Sequence, residues 1–202
     1  MLEVVLATRN RHKFRELTAL LAVPGIRWRS LAAFPEAPAV RETGRSFEAN
    51  AVKKARAVAR ATGRLAVADD SGLEVEVLHW GPGVRSARFA GLHGDDRANN
   101  RTLLRRLAGL PRRRRGARYR CVLALASPAR VLAVARGAWA GRIADGPRGR
   151  GGFGYDPVFV VPGLGKTVGE LAPALKRRLS HRSRAARRLL PALRRLARGA
   201  CC

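Results

Sequence analysis

A helical stretch that opens at Ser46 and stops at Gly63, followed at once by the apolar run Leu65 to Ala68, constrains this chain more than any other feature. Ser is a favoured N-cap and Gly a favoured helix stop, so both boundaries are set by local chemistry. A short buried-type strand fed by a helix implies a sheet with helices laid against it. The chain opens the same way. Val4 to Ala7 reads as a short strand, Thr8 to Lys13 as a polar turn, and Phe14, Leu17, Leu20 and Leu21 as one helix face that Pro24-Gly25 ends. The strand from Leu65 is expected to finish at Asp69-Asp70-Ser71-Gly72, and open α/β sheets place their chemistry at the carboxyl ends of strands.

The remaining pattern extends this α/β reading. Residues 30 to 46, broken by Pro35, Pro38 and Gly44, read as connector, and Pro82-Gly83 starts another loop. Asn99 to Leu107 reads as a helix and Pro111 to Gly116 as a basic loop. Arg118 to Ala126 and Val131 to Ala138, separated by Ser127-Pro128-Ala129-Arg130, predict a hairpin that would form a second sheet region or lobe. A Gly-rich loop over Gly149 to Gly154, a strand over Val158 to Val161 and a helix from Ser183 to Arg198 complete the chain.

Composition narrows the function classes. With 202 residues, 47% of them apolar, the chain can fill a sizeable core as one domain or two intimate lobes. No apolar stretch approaches the roughly 18 residues needed to cross a bilayer, so no membrane association is expected. Three cysteines are too few for a disulfide framework. The pair Cys201 and Cys202 is expected to fray, and a reducing cytoplasm fits. The net charge of +27, from 41 Lys and Arg against 14 Asp and Glu, calls for a polyanion or reflects solvated Arg-rich faces. Because the Arg clusters lie in Arg113 to Arg115 and along the last helix, without interleaved aromatics, no specific nucleic-acid partner is expected.

Four constellations could carry chemistry. Thr8-Arg9-Asn10-Arg11-His12-Lys13, between strand and helix, offers backbone N–H groups, a hydroxyl, an amide and cations to a phosphate, although taken alone it reads first as an ordinary polar capping loop. Glu42, Glu48, Asp69 and Asp70 with Lys54 could hold Mg²⁺, which takes one or two carboxylates plus phosphate oxygens; alternatively the aspartates cap a turn or pair with Arg. In Gly151-Gly152-Phe153-Gly154-Tyr155-Asp156-Pro157 two rings flanking a glycine could hold a flat base, or pack a core. Lys176 with Ser180-His181-Arg182 supplies donors suited to a keto-bearing base or to phosphates, or a helix-start surface.

Taken together and in order, these segments resemble the inosine/xanthosine triphosphate pyrophosphatases, the Ham1-like family, along nearly the whole chain. The match also includes Glu42-Thr43-Gly44, Ala68 to Leu73, Pro82-Gly83-Val84, Ser86-Ala87-Arg88 and Gly165-Lys166-Thr167. The resemblance implies a single α/β domain over 1–202 with a long mixed twisted sheet, two lobes around a central substrate cleft, and a homodimer. It implies Mg²⁺-dependent hydrolysis of ITP, dITP or XTP to the monophosphate and pyrophosphate. By that resemblance the turn Thr8, Arg9, Asn10, Arg11, His12 and Lys13 holds the triphosphate. Asp70 is the general base with Lys54 beside it, and Glu42 and Asp70 engage the metal. Ser71 touches substrate, Phe153 and Tyr155 sandwich the purine about Gly154, and Asp156, Lys176, His181 and Arg182 read base or phosphates. Arg9, His12, Ala49, Arg85 and Ser183 depart from the common family pattern without removing a residue the reaction needs. The rivals are a Maf-type nucleotide pyrophosphatase, which lacks the Gly-Phe-Gly-Tyr-Asp-Pro and Ser-His-Arg segments, and a basic nucleic-acid-binding protein.

Overall fold

The computed structural model describes residues 1–199, so Cys201 and Cys202 lie outside the described residues. Strand β1 (Leu2–Leu6) leads through helix α1 (Arg11–Leu20) to β2 (Ile26–Ser30), which pairs parallel to it with Val4 opposite Trp28. Helix α2 (Phe47–Thr62) then leads to β3 (Leu65–Val75), parallel to the other side of β1 with Val5 opposite Ala66. Such parallel neighbours need a crossover, and each helix supplies one. Ser46 accepts a hydrogen bond from Ala49 N at 3.1 Å, and Gly63 takes a left-handed φ of 64°, so α2 starts and stops where the sequence indicates. The strand β2 is not expected from the sequence, because Ile26-Arg27-Trp28-Arg29-Ser30 carries only two apolar residues and reaches the connector only at Ser30.

Strands β4 (Gly116–Ala126) and β5 (Val131–Ile143) follow helix α3 (Asp96–Arg106), and the turn between them is closed by Ser127 N on Arg130 O at 2.9 Å. The short β6 (Phe159–Val160) is antiparallel to β5. All six strands form one mixed sheet in the order β2-β1-β3-β4-β5-β6, which replaces the expected second sheet region. A second correction concerns β3. It runs eleven residues, so Asp69 and Asp70 stand in mid-strand and not at its end. The strand continues because Leu73 and Val75, fully buried, find a core beyond the acids. Helices α4 (Pro173–Leu179) and α5 (His181–Gly199) close the chain.

The chain divides into two compact units. The first comprises residues 1–70, 121–137 and the chain from Arg182. Its core sets Val4, Leu6, Leu17 and Val67 against Leu123 and Leu125, with Ala185, Leu189, Leu193 and Ala197 of α5. Those α5 residues recur every four positions and so share one helix face. The second unit comprises residues 71–120 and 138–181, with a core of Leu73, Val75, Leu103, Leu107, Tyr119, Trp139 and Phe159.

One arginine of the basic run is not a solvated charge. Arg115 is only 6% exposed, and its guanidinium donates to the carbonyls of Leu107, Leu110 and Ala144 at 2.9–3.0 Å. It thereby ties carbonyls that follow α3 to one that follows β5, adding to the bond that Leu107 O already accepts from Leu110 N at 3.2 Å, and losing a charged donor to buried acceptors is costly. Arg115→Ala is expected to cost about 2–3 kcal/mol, lowering the melting temperature by roughly 5–10 °C, whereas Arg113→Ala leaves it within about 1 °C. Thermal melts of the two variants check this.

Candidate active site

Asp69 and Asp70 are neighbours on β3, so the alternation of a strand sends their side chains to opposite faces. That single fact gives them opposite environments. The Asp69 carboxylate, 3% exposed, meets Lys13 Nζ at 3.0 Å and Arg182 Nε at 3.8 Å, and accepts from the Cys121 thiol on β4 at 3.2 Å. Burial alone would raise its pKa, but Lys13, Arg182 and Lys54 together outweigh burial and hold the carboxyl far below its usual range. Burial, with Asp69 adding to it, pushes Cys121 up, so it remains a thiol and a donor.

Asp70 is the reverse case. Burial first, then the charges of Glu42 and Asp69, push its carboxyl up to about 6, with Lys54 and the Asn50 side chain opposing. Its Oδ2 is buried and has no hydrogen-bond partner among the described residues. Lys54, on α2, pairs with Glu42 Oε1 and also donates to Asp69 O at 3.1 Å, so it ties the loop acid to the strand. Asn50 accepts from Gly44 N at 2.7 Å and fixes the loop that carries Glu42.

The turn before α1 prepares an anion site. Asn10 caps the helix, its Oδ1 accepting from Lys13 N at 3.0 Å, while Thr8 Oγ1 accepts from Asn10 N at 3.2 Å. No acidic residue occupies the first turn, so the positive end of the helix dipole is left for a ligand. Arg11 and His12 are exposed there, and Arg9 donates to Ala37 O at 3.2 Å. Thr8, Asn10, Lys13, Glu42, Lys54, Asp70 and Arg182 all belong to the first unit, where Lys13 and Arg182 meet Asp69 and Lys54 pairs with Glu42. Arg182 itself is buried, with Glu16 Oε2 at 3.5 Å as its second acid.

The second unit holds the other candidates. Asp156 accepts from Lys176 Nζ at 2.6 Å, from Phe153 N at 2.9 Å and from the Tyr119 hydroxyl at 3.1 Å. A Cβ at Gly152 would fall on the Asp156 carboxylate, so only glycine lets the loop close on it. Lys176 Nζ sits 4.7 Å from the Phe153 ring centre, and the Tyr119 ring stacks on His181 at 4.6 Å and 15°. The two rings of the Gly-rich segment are not equivalent. Phe153 is half-buried, whereas Tyr155 is 5% exposed, belongs to the core and donates to Ser86 O at 2.9 Å. Ser71, half-buried, also falls in this unit.

The family model of the Ham1 family matches residues 4–192. The chain belongs to the Ham1 family. The Ham1 relatives include the dITP/XTP pyrophosphatase of Geobacillus kaustophilus, 51% identical over 189 residues that cover 94% of this chain and 93% of that protein. The dITP/XTP pyrophosphatase of Nocardia farcinica is 49% identical, with 98% and 97% covered. Among solved structures, a HAM1 protein from Coxiella burnetii superposes with a TM-score of 0.88 at 40% identity, covering 96% of this chain and 98% of that one. A nucleoside-triphosphatase / dITP/XTP pyrophosphatase from Mycobacterium abscessus gives 0.78 at 47% identity, with 94% and 100% covered.

Reading the Ham1 sequence alone leaves several site residues unassigned. Asp69, the hub of the cation cage, is there only one of two adjacent acids. Tyr119 and Cys121 lie in an ordinary β-type run, and their roles arise only from what the neighbouring elements bring to them. The signal available for Asp69 is its place in a strand rich in buried residues, where a carboxylate requires cations.

Proposed function

We propose that this chain hydrolyses deaminated purine nucleoside triphosphates, namely ITP, dITP and XTP, to the nucleoside monophosphate and pyrophosphate, with Mg²⁺ as cofactor. The observation that carries the reading is the pair on β3: Asp69 kept ionised in a cage of cations, and Asp70, beside it, raised to about 6. Groups whose pKa values are driven apart in this way are suited to division of labour in catalysis. Asp70 takes a proton from the attacking water; the water oxygen bonds to the α-phosphorus, and the bridging oxygen leaves with pyrophosphate. Lys13 and the start of α1 receive the anionic tail.

The donor set fits a magnesium ion. Asp70 Oδ2 is a buried acceptor without a hydrogen-bond partner among the described residues, and Glu42 shares Lys54 with the backbone beside it. That pattern suits a hard ion completed by phosphate oxygens and water better than a closed protein cage. Held by Glu42 and Asp70, Mg²⁺ would neutralise phosphate charge.

The base is assigned to the second unit's cluster. Phe153 offers the flat ring, and Lys176, fixed by Asp156, offers further N–H groups to a 6-keto oxygen, where adenine would present a donor. Tyr155 forms the wall behind the loop, and His181 is held by Tyr119. The homodimer rests on the family resemblance and the cytoplasmic setting on the low cysteine count; separately, no helix among the described residues is long and apolar enough to cross a membrane.

Pyrophosphate release measured on ITP, dITP, XTP, GTP, ATP, UTP and dTTP, with Mg²⁺ and with EDTA, tests the reading. Expected is Mg²⁺-dependent turnover on the first three, with kcat/KM at least about a hundredfold above that on ATP. Equal rates on all seven would overturn it, and activity concentrated on UTP or dTTP would transfer the chain to the Maf-type reaction.

A further inference from the structure

The loop that carries Phe153 contains glycine at 149, 151, 152 and 154, so it has little side-chain packing of its own to hold a ring in one plane. Asp156 holds the Phe153 N–H, and the Gly154 groups on the other side of the ring residue are held from elsewhere. Helix α3 supplies the candidate pair, Asp96 and Asn100, which stand four residues apart and therefore on one helix face. Asp96 Oδ2 accepts from Gly154 N at 2.6 Å, and Asn100 Nδ2 donates to Gly154 O at 2.9 Å. Both backbone groups of one residue are thus taken by one helix face, as a partner strand would take them.

Two further observations set this pair apart from incidental packing. Gly154 has a φ of 65° and a Cβ there would meet nothing within 4 Å, so its conformation is held by these bonds and not by crowding. Asn100 makes its bond at a penalty, because its Oδ1 is left buried without a hydrogen-bond partner among the described residues. An apolar residue at that position would avoid the penalty but would leave Gly154 O without the Asn100 donor.

We infer that Asp96 and Asn100 are positioning residues for base recognition: together they clamp the Gly154 peptide groups and so set the plane of Phe153 and the approach of Lys176. This rests on the assignment of Phe153 as the ring that meets the purine. Pre-organised rings bind without first being ordered, so loss of the clamp acts on substrate binding before it acts on the chemical step.

The test uses the full-length enzyme and the variants Asp96→Ala, Asn100→Ala and Asp96→Asn. Three quantities are followed: kcat and KM on ITP and ATP, the melting temperature, and hydrogen exchange of the Gly154 amide. Asp96→Ala and Asn100→Ala are expected to raise KM for ITP by about tenfold while kcat stays within about threefold, and to narrow the ITP-to-ATP preference. The Gly154 amide becomes fast-exchanging in Asp96→Ala. Asp96→Asn keeps an acceptor for Gly154 N and recovers the wild-type KM and exchange rate. The proposal is overturned if the alanine variants keep the wild-type KM, or if kcat and melting temperature fall together with no change in KM. It is also overturned if the Gly154 amide exchanges fast in the wild type. A wild-type enzyme that treats ITP and ATP alike would instead refute the base assignment, and the Gly154 exchange rates would then still show whether the clamp exists.

Discussion

Asp70→Asn is expected to lower turnover by about 10³-fold or more and, at the same time, to make the protein more stable. Both effects have one cause. In the folded chain burial, Glu42 and Asp69 hold the carboxyl at about 6 against an ordinary 3.8, so its ionised form is disfavoured by folding. The sign follows from linkage. Above pH 6 the group is charged in both states and the folded state bears the whole penalty, about 3 kcal/mol from the difference of the two values. As pH falls from 6 towards 3.8 the folded state takes up its proton first, and the penalty disappears. A neutral Asn keeps the shape without the charge, so a rise in melting temperature of roughly 6–12 °C at pH 7.5 is expected, shrinking towards zero at pH 4. Without metal Asp70 takes up its proton near pH 6, and a bound Mg²⁺ lowers that value, so the acid limb of kcat/KM is expected below pH 6, with a tenfold fall per pH unit beneath it. An Asp70→Asn protein that lost activity but also melted lower would show that the carboxylate serves the fold, and the assignment of the base would fail.

How much of this was legible beforehand depends on how local the cause is. Ser46 and Gly63 mark α2 correctly because a cap is made by atoms a few residues away. The hairpin turn at Ser127 to Arg130 is readable for the same reason. Asp69-Asp70-Ser71-Gly72 misleads, since four such residues read as a turn. Only Lys13, Lys54 and Arg182, brought from three distant segments, allow a carboxylate inside a strand. The sequence also cannot separate Arg115 from Arg113 and Arg114, because what distinguishes it is a set of carbonyls at 107, 110 and 144. Phe153 and Tyr155 look equivalent around their glycine, yet the left-handed turn at Gly154 sends Tyr155 into the core. The order of the motifs, by contrast, carried the family assignment, because several short segments in sequence are far more specific than any one of them.

Asp69→Asn is expected to act in the opposite direction to its neighbour. Here the folded state holds the carboxyl well below its ordinary 3.8, so charge on Asp69 stabilises the fold at every pH above that value. The contribution is lost only as pH falls through the depressed folded value, below the range in which Asp70 titrates. Removing the charge takes one acid away from the Arg182 guanidinium, 6% exposed at its side chain and 3.5 Å from Glu16, and leaves Lys13 beside a neutral amide. Breaking a buried pair from one side costs about 3–5 kcal/mol, which for a chain of this size lowers the melting temperature by roughly 10 °C or more. A double variant, Asp69→Asn with Lys13→Met, removes one of the stranded cations and should recover at least about 1 kcal/mol of that loss. Melting curves of the Asp69→Asn and Asp70→Asn proteins at pH 7.5 therefore shift to opposite sides of the wild type. If both moved the same way, the two carboxylates would share one environment, and the division of charge along β3 on which the proposed chemistry depends would not exist.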